Sequence, residues 1–191
     1  MDPLLLNIPT QLETNRLILR APSASGDGKI VNEAIVDSIN ELKLWLPFAQ
    51  TLPSVEETER SARIAYINYL KRESFRYLIF HKETEDFIGI TSYETVDWDI
   101  PKSEIGYWIA TKFSGNGYMT EAIEKLTQFG LKQLGFKRIE IRCDPENSKS
   151  RSIPQRLGYD LEGILKNDDK SADDRELRDT CIYAIIQKRG T

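Results

Sequence analysis

The chain has 191 residues, 40% of them hydrophobic, and no long Pro/Gly/Ser-rich linker divides it, so it is expected to bury a core of its own and reads as one domain over 1–191. Its net charge is −4 and it carries no run of about five or six basic residues, which argues against direct nucleic-acid binding and leaves cationic acceptors in play. No stretch approaches the roughly 18 apolar residues of a membrane span, Leu4-Leu5-Leu6 is too short for a signal peptide, and the two cysteines, Cys143 and Cys181, fall in strand-like stretches as ordinary buried thiols, so a cytoplasmic location is expected.

Residues 1–13 read as an extended arm and 16–20 as a first strand, with Leu17 and Leu19 on one face and Ile18 on the other. From Lys29 the apolar positions Ile30, Ala34, Ile35, Ile39, Leu42 and Trp45 or Leu46 follow helical spacing and stop before Pro47. Ser54 and Glu57 stand at the capping-box interval and open a second helix to about Glu73. Two strands follow, 77–81 and 86–96, joined by a polar turn at 82–85. Residues 104–110 alternate as the next strand, and a helix runs from the glycines at 115 and 117 to Gly135. A strand at 137–143, a short helix at 148–157 and strands at 159–166 and 180–187 complete the order, with 167–179 an acidic hairpin loop.

The junction of strand, glycines and helix reads as a phosphate cradle. Glycines let consecutive N–H groups turn toward a ligand, and a helix N-terminus adds unpaired donors and a positive dipole end. Two familiar nucleotide loops fit poorly: Tyr118 and Met119 stand where a P-loop needs Lys and Ser/Thr, and Thr120 stands where a dinucleotide loop needs its third glycine.

The segment Lys112-Phe-Ser-Gly115-Asn-Gly117-Tyr118-Met-Thr-Glu-Ala122 resembles the Q/R-x-x-G-x-G/A acetyl-CoA motif of GNAT-superfamily N-acetyltransferases, and its continuation is similar to the G-Y-x-T-E-A of the RimJ/RimL-type branch. Lys112 stands where Arg or Gln is usual. A second block, Asn147 to Gly163, is similar to that branch's N-x-x-S-x-x-x-x-x-x-L-G-F/Y-x-x-E-G segment, and Thr14-Asn-Arg16-Leu-Ile-Leu-Arg20 resembles its start. The resemblance covers about residues 14–187 and implies an α+β fold: a mixed central sheet of about seven strands flanked by helices, in the order β-αα-βββ-α-β-α-ββ. It further implies that the strands ending near Ala110 and Cys143 splay apart to admit the pantetheine arm; Gly106, a glycine inside a strand, fits a close approach there.

The activity so implied is acetyl transfer from acetyl-CoA to a primary amine by direct attack, the acceptor being a protein N-terminal α-amine, as on a ribosomal protein, or a small amine. A catalytically weak acyl-CoA-binding module acting as sensor or partner subunit is the alternative. Glu104 is the candidate base, against a structural hydrogen-bonding role. Pro154 occupies the position where many members place an acidic tyrosine, leaving Ser150 as candidate acid, against capping or cofactor positioning. Cofactor contacts are expected from Ile109, Lys112, Ser114, Gly115, Asn116, Gly117, Tyr118, Met119, Thr120, Asn147 and Arg151, with Tyr118 and Met119 contributing mainly backbone. Trp45, Phe48, Tyr93 and Trp98 are the candidate acceptor pocket. A homodimer is possible in such a family. One histidine, His81, and no Cys/His spacing argue against a metal site or a Ser-His-Asp triad.

Overall fold

The computed structural model of the chain describes residues 2–187; Met1 and residues 188–191, the outer ends of the expected arm and domain, lie outside the described residues. In chain order the elements are β1 (Gln11–Glu13), β2 (Leu17–Arg20), α1 (Gly28–Leu42), α2 (Val55–Lys71), β3 (Phe75–His81), β4 (Phe87–Asp97), β5 (Lys102–Ile109), α3 (Tyr118–Phe129), β6 (Arg138–Cys143), α4 (Ser148–Arg156), β7 (Asp160–Lys170) and β8 (Leu177–Ile186). The strands form one mixed sheet in the order β1-β2-β3-β4-β5-β6-β8-β7, antiparallel except between β5 and β6. The sheet has eight strands rather than about seven because the end of the expected arm pairs with β2, Leu12 opposite Leu19.

Period-two alternation sends the two sides of each strand to different layers. On one face Leu17, Leu19, Tyr77, Ile79, Ile88, Ile105 and Ile139 pack against Met119, Ala122, Ile123, Leu126 and Phe129 of α3. On the other, Leu78 and Ile90 pack against Val31, Ala34, Ile35 and Leu42 of α1, with Trp108 at their margin. Full burial of each such aliphatic side chain contributes about 1.5–3 kcal/mol.

Several element ends differ from the sequence expectation. Helix α1 stops at Leu42, and Lys43 to Leu46 form turns, because Pro47 holds Leu46 in an extended conformation (φ −121°). The Ser54–Glu57 capping box is present as read. Helix α3 ends at Phe129 and passes into a π-helical turn, Gly130–Leu134, closed by Gly135 at φ +77°. The β7–β8 hairpin extends to the pair Lys170–Leu177, so most of the expected acidic loop is strand. Both faces of β7 are largely exposed, and charge pairs across the hairpin, such as Lys166–Asp179 (2.7 Å), replace the apolar alternation that marks other strands.

The feature that matters most is a short ladder. Strands β5 and β6 pair only through Lys102–Arg138, Ser103–Ile139 and Glu104–Glu140. Beyond that point β5 stays with β4 out to Ile109, and β6 stays with β8 out to Cys143, so the two part as expected. Gly106 accommodates a close approach of a different kind: a Cβ there would lie 2.7 Å from Oε1 of Glu94, a residue on the bulged part of β4. The neighbour is a side chain, not a backbone or a ligand.

Tyr93 and Trp98 line neither of the two cavities described below. Tyr93 is fully buried, and its hydroxyl donates to the Leu126 carbonyl of α3. Trp98 stacks against Phe75 and Phe136, and its Nε1–H donates to the Arg72 carbonyl at 2.9 Å. Tyr93 faces the α3 core by strand alternation, and Trp98, just past the end of β4, packs against that core. Replacing Tyr93 by Phe is expected to lower stability by about 1 kcal/mol, the usual worth of one buried hydrogen bond, while leaving acceptor KM unchanged. Denaturant unfolding and steady-state kinetics check both halves.

Candidate active site

The turn after β5 leaves its backbone donors free. Gly115 (φ +84°) and Gly117 (φ +77°) adopt the left-handed conformation that side chains resist, with nothing within 4 Å of a Cβ at Gly115. The backbone therefore dictates these glycines, and crowding does not. Gly117 caps α3 without a side-chain bond, and Glu121 is the first residue whose N–H enters the helix ladder, bonding the Gly117 carbonyl at 3.0 Å. Among the described residues the N–H groups from Gly115 to Thr120 donate to no protein acceptor. Six consecutive donors at a positive dipole end suit a phosphate group.

A staple from the start of the chain fixes this turn. Glu121 Oε1 accepts from the Thr14 hydroxyl at 2.6 Å and from the Arg16 N–H at 2.9 Å, and its Oε2 pairs with Arg16 Nε at 2.7 Å. Arg16 Nη1 also donates to the Asn116 carbonyl at 3.2 Å, and the guanidinium lies 4.5 Å over the Tyr118 ring. Partial burial pushes the Glu121 carboxyl up, but the bonds from Thr14 and Arg16 outweigh it and hold it below the usual range.

The cradle opens onto a cleft of about 520 Å³ bounded by the end of β5, at Tyr107, Trp108 and Ile109, and by the start of α4. Of the expected cofactor residues, Ile109, Ser114, Gly115, Gly117, Tyr118, Met119, Thr120 and Asn147 line it, as does Ser150. The Met119 side chain is buried in the core, so it offers only backbone. Three expected contacts do not face the cleft. Lys112 is exposed, its ammonium 4.9 Å over the Phe113 ring. Asn116 turns its amide back to the Phe113 carbonyl at 3.1 Å, bracing the turn. Arg151 points to the other side of α4, where Nη1 donates to the Pro145 carbonyl at 2.9 Å and Nε to the Tyr183 hydroxyl at 3.3 Å. The cations lining the cleft are instead Lys149 and Arg156, invisible as such to motif reading because both sit at variable positions of the second block.

The far wall is α4. Asn147 caps it, its Oδ1 accepting from the Ser150 N–H at 3.0 Å. Ser150 Oγ is 3.2 Å from the hydroxyl of Tyr107, a residue that alternation marks only as a strand-face position. Cys143, half-buried rather than buried, is the neighbouring thiol; burial pushes it up to about 11, so it stays protonated at neutral pH.

A second cavity, of about 740 Å³, lies on the other side of the gap, between the turn after α1 and the β7–β8 hairpin. Trp45 and Leu44 line both cavities, so they stand where the two meet. Phe48 lines neither; it is 46% exposed and lies 6.5 Å from the Trp108 ring. Glu104 lines the second cavity beside Arg142. Burial raises its pKa, Arg142 opposes that, and Glu94 and Glu140 push it further up. A carboxylate with raised pKa at the mouth of the strand gap can accept a proton from a group attacking through that gap. The hairpin residues of this cavity carry both signs of charge, many already paired, as in Arg178–Asp144 at 2.8 Å. Among the described residues no group of His, Cys, Asp or Glu is arranged to hold a metal ion.

Known proteins share this fold. The Acetyltransferase (GNAT) domain family matches residues 16–160. A putative ribosomal N-acetyltransferase of Bacillus subtilis, YdaF, is 32% identical over 143 residues, 74% of this chain and 76% of the relative. The ribosomal protein uS5 alanine N-acetyltransferase of Escherichia coli is 26% identical over 94% of this chain and 92% of its own. Among solved structures, the microcin C7 self-immunity acetyltransferase MccE, in complex with acetyl-CoA and AMP, superposes with a TM-score of 0.86 at 21% identity over 94% of this chain and 98% of that one. The ribosomal L7/L12 α-N-protein acetyltransferase RimL, in complex with coenzyme A, gives 0.84 at 24% over 94% and 97%. Eight strands with a parted central pair, a glycine-built anion turn and a family match over most of its length place this chain in the GNAT acetyltransferase family.

Proposed function

We propose that this chain acetylates the free α-amino group of a protein N-terminus, with acetyl-CoA as donor, in the cytoplasm. The observation that carries the reading is a cleft headed by six free backbone donors that meets, at Leu44 and Trp45, a cavity holding Glu104, with β5 and β6 parted beyond Glu104. The names of the ribosomal N-acetyltransferases among its relatives point to the same acceptor class.

When bound, acetyl-CoA supplies the activated acyl group. The N–H groups from Gly115 to Thr120 hold the diphosphate, with Lys149 and Arg156 adding positive charge along the cleft. The edge of β5 from Ile105 to Ile109, released from β6, offers main-chain donors and acceptors to the amide-bearing arm. Asn147 and Ser150 line the opposite wall, and Trp45 closes the junction with the acceptor cavity. Glu104 takes the proton the amine gives up.

The choice of an α-amine follows from how much base is on offer. An α-amino group ionises at about 7.7–8.0 and is already partly neutral in a cell, whereas a lysine near 10.4 is almost wholly charged. One half-buried carboxylate whose pKa burial raises suits the weaker demand. Incubation with labelled acetyl-CoA and peptides beginning in Ser or Ala should give products acetylated at the N-terminus by mass spectrometry. Transfer only to lysines of Nα-blocked peptides, or only to polyamines, would overturn the acceptor.

Two variants follow. Glu104→Gln is expected to lower kcat by roughly 10²–10⁴ with acetyl-CoA affinity retained. The same substitution has a stability signature with opposite sign. Because burial raises the folded-state pKa, the folded chain binds more protons than the unfolded one between the two values, so Glu104 makes the protein less stable as pH rises through that window. Thermal melts should therefore show Glu104→Gln gaining stability relative to wild type at neutral pH and losing that gain near the unfolded carboxyl value of about 4.3. Gly117→Val forces a β-branched residue to φ +77°, and the loop should move to relieve it. Calorimetry should show acetyl-CoA binding weakened about tenfold or more; undiminished affinity would remove the turn from the donor site.

A further inference from the structure

The space above Gly106 belongs to one side chain. A Cβ at that position would meet Glu94 at Oε1 (2.7 Å), Cγ (3.1 Å) and Cδ (3.3 Å), so the glycine leaves room for that carboxylate. Where this happens matters. Glu104 and Glu140 are the last pair of the β5–β6 ladder, and Gly106 is the next residue of β5 on the Glu104 face, the first there that β6 no longer pairs alongside. Glu94 therefore lays its carboxylate over β5 where the two strands part. We propose that Glu94 anchors the acceptor: its carboxylate receives the α-ammonium of the incoming N-terminus and holds the nitrogen beside Glu104. This deepens, and rests on, the reading of the protein as an N-terminal acetyltransferase.

A bulge puts the carboxylate there. Tyr93 pairs with Ile105 and Val96 with Ser103, so Glu94 and Thr95 together stand opposite the single residue Glu104. Tyr93 and Ile105 face the α3 core, which sends their neighbours Glu94 and Glu104 to the other side of the sheet. That is the side on which the acceptor cavity holds Glu104. Ser92, paired with Gly106 on the same face, donates its hydroxyl to Glu94 Oε1 and fixes the carboxyl group in place. No cation does the same. Arg76 of β3 is the positive group whose charge acts on Glu94, but its Nη1 donates to the Ser61 hydroxyl of α2 at 3.1 Å, and among the described residues it forms no ion pair with Glu94. Exposed, held by one hydroxyl and unpaired, Glu94 retains lone pairs for an ammonium with three donors to place.

The two carboxylates do different work. Glu104 faces Arg142 and Glu140 of β6 as well as Glu94 of β4, and burial makes its charged form costly, which suits a group that takes a proton. Glu94 transfers none. As the nitrogen bonds the acetyl carbon and the carbon–sulfur bond breaks with its electron pair leaving on sulfur, the nitrogen is positive until its surplus proton passes to Glu104. A carboxylate already fixed beside it favours that charge. The product amide is neutral and loses the contact, which favours its release.

The test reads binding rather than turnover. With coenzyme A at saturation, calorimetry compares a peptide beginning in Ala with the same peptide beginning in propionyl, where hydrogen replaces the ammonium. At about pH 7 the α-amino group, ionising at about 7.7–8.0, is mostly charged. Wild-type protein should bind the amine peptide about tenfold more tightly, the scale of one charge-assisted hydrogen bond. Glu94→Gln keeps the shape of the side chain and should bring the two peptides within about twofold of each other, with affinity for the propionyl peptide unchanged. Glu104→Gln should keep a preference of about fivefold or more.

That pattern supports the anchor, because a merely structural role for Glu94 would weaken both peptides alike. No preference in the wild type, a preference undiminished in Glu94→Gln, its loss in Glu104→Gln instead, or an equal fall for both peptides in Glu94→Gln would each overturn it. Failure of the wild-type protein to bind either peptide would overturn the acceptor reading beneath, and the anchor with it.

Discussion

Three residue pairs decide whether this sheet is a closed surface or a channel. Parallel strands β5 and β6 pair at Lys102, Ser103 and Glu104 and then separate, each keeping its other neighbour. The last of these pairs sets Glu104 opposite Glu140, two carboxylates in register, and like charges facing one another weaken a ladder. Arg138 holds Glu140 by a 2.6 Å ion pair on its own strand, while Glu104 is left toward the cavity. On the other side of β5, the irregular register of β4 between Tyr93 and Val96 bends the adjoining strand, as bulges do. A ladder ending in repulsion beside a bent neighbour opens where a ligand's backbone-like arm can take the vacated hydrogen-bonding edge.

The anion turn depends on a residue about a hundred positions earlier. Thr14 and Arg16 give Glu121 three hydrogen bonds, so a carboxylate in the first turn of α3, beside an anion site, is neutralised rather than left to repel its guest. A partly buried acid with charge-assisted bonds of this kind resists small shifts of the helix end, and the same guanidinium grips the Asn116 carbonyl inside the turn. Precision in the cradle is thereby inherited from the sheet edge. Tyr107 extends the same logic to the other wall: a strand residue donates to the Ser150 carbonyl of a helix, and the cleft is shaped by contacts across layers rather than within its lining segments.

How much of this was legible in the sequence follows from what local pattern encodes. Alternation in 104–109 and the glycines at 115 and 117 announce a strand, a turn that needs positive φ and a helix start, and each is a local property of the backbone. The resemblance places the acceptor side near the first helix pair and neighbouring strands but not the direction of each aromatic there, so Tyr93 and Trp98 read as pocket aromatics although Leu126 of α3 and Phe136 engage them. A helix motif likewise fixes the position of Arg151 without its rotation about α4, which the Pro145 carbonyl and Tyr183 hydroxyl settle. The acidic run at 167–179 looked like loop because its strands are stabilised by ion pairs on an exposed edge, where no hydrophobic period is imposed.

The two halves of the site are built from different materials, and that difference bears on how the protein relates to its neighbours. The donor half is mostly main chain: freed amides, a released strand edge and a helix end, none of which requires a particular side chain beyond the glycines. Such a half tolerates sequence change, because a backbone donor is supplied by any residue other than proline. The acceptor half is side chain, from Trp45 at the junction to a hairpin of interleaved acids and bases whose pairings cancel most of the local field. A cavity of that composition selects by shape and by the placement of single unpaired groups such as Glu104, not by bulk attraction to a charged partner. On the proposed reading, acceptor preference in this chain is therefore a property of the hairpin and the turn after α1.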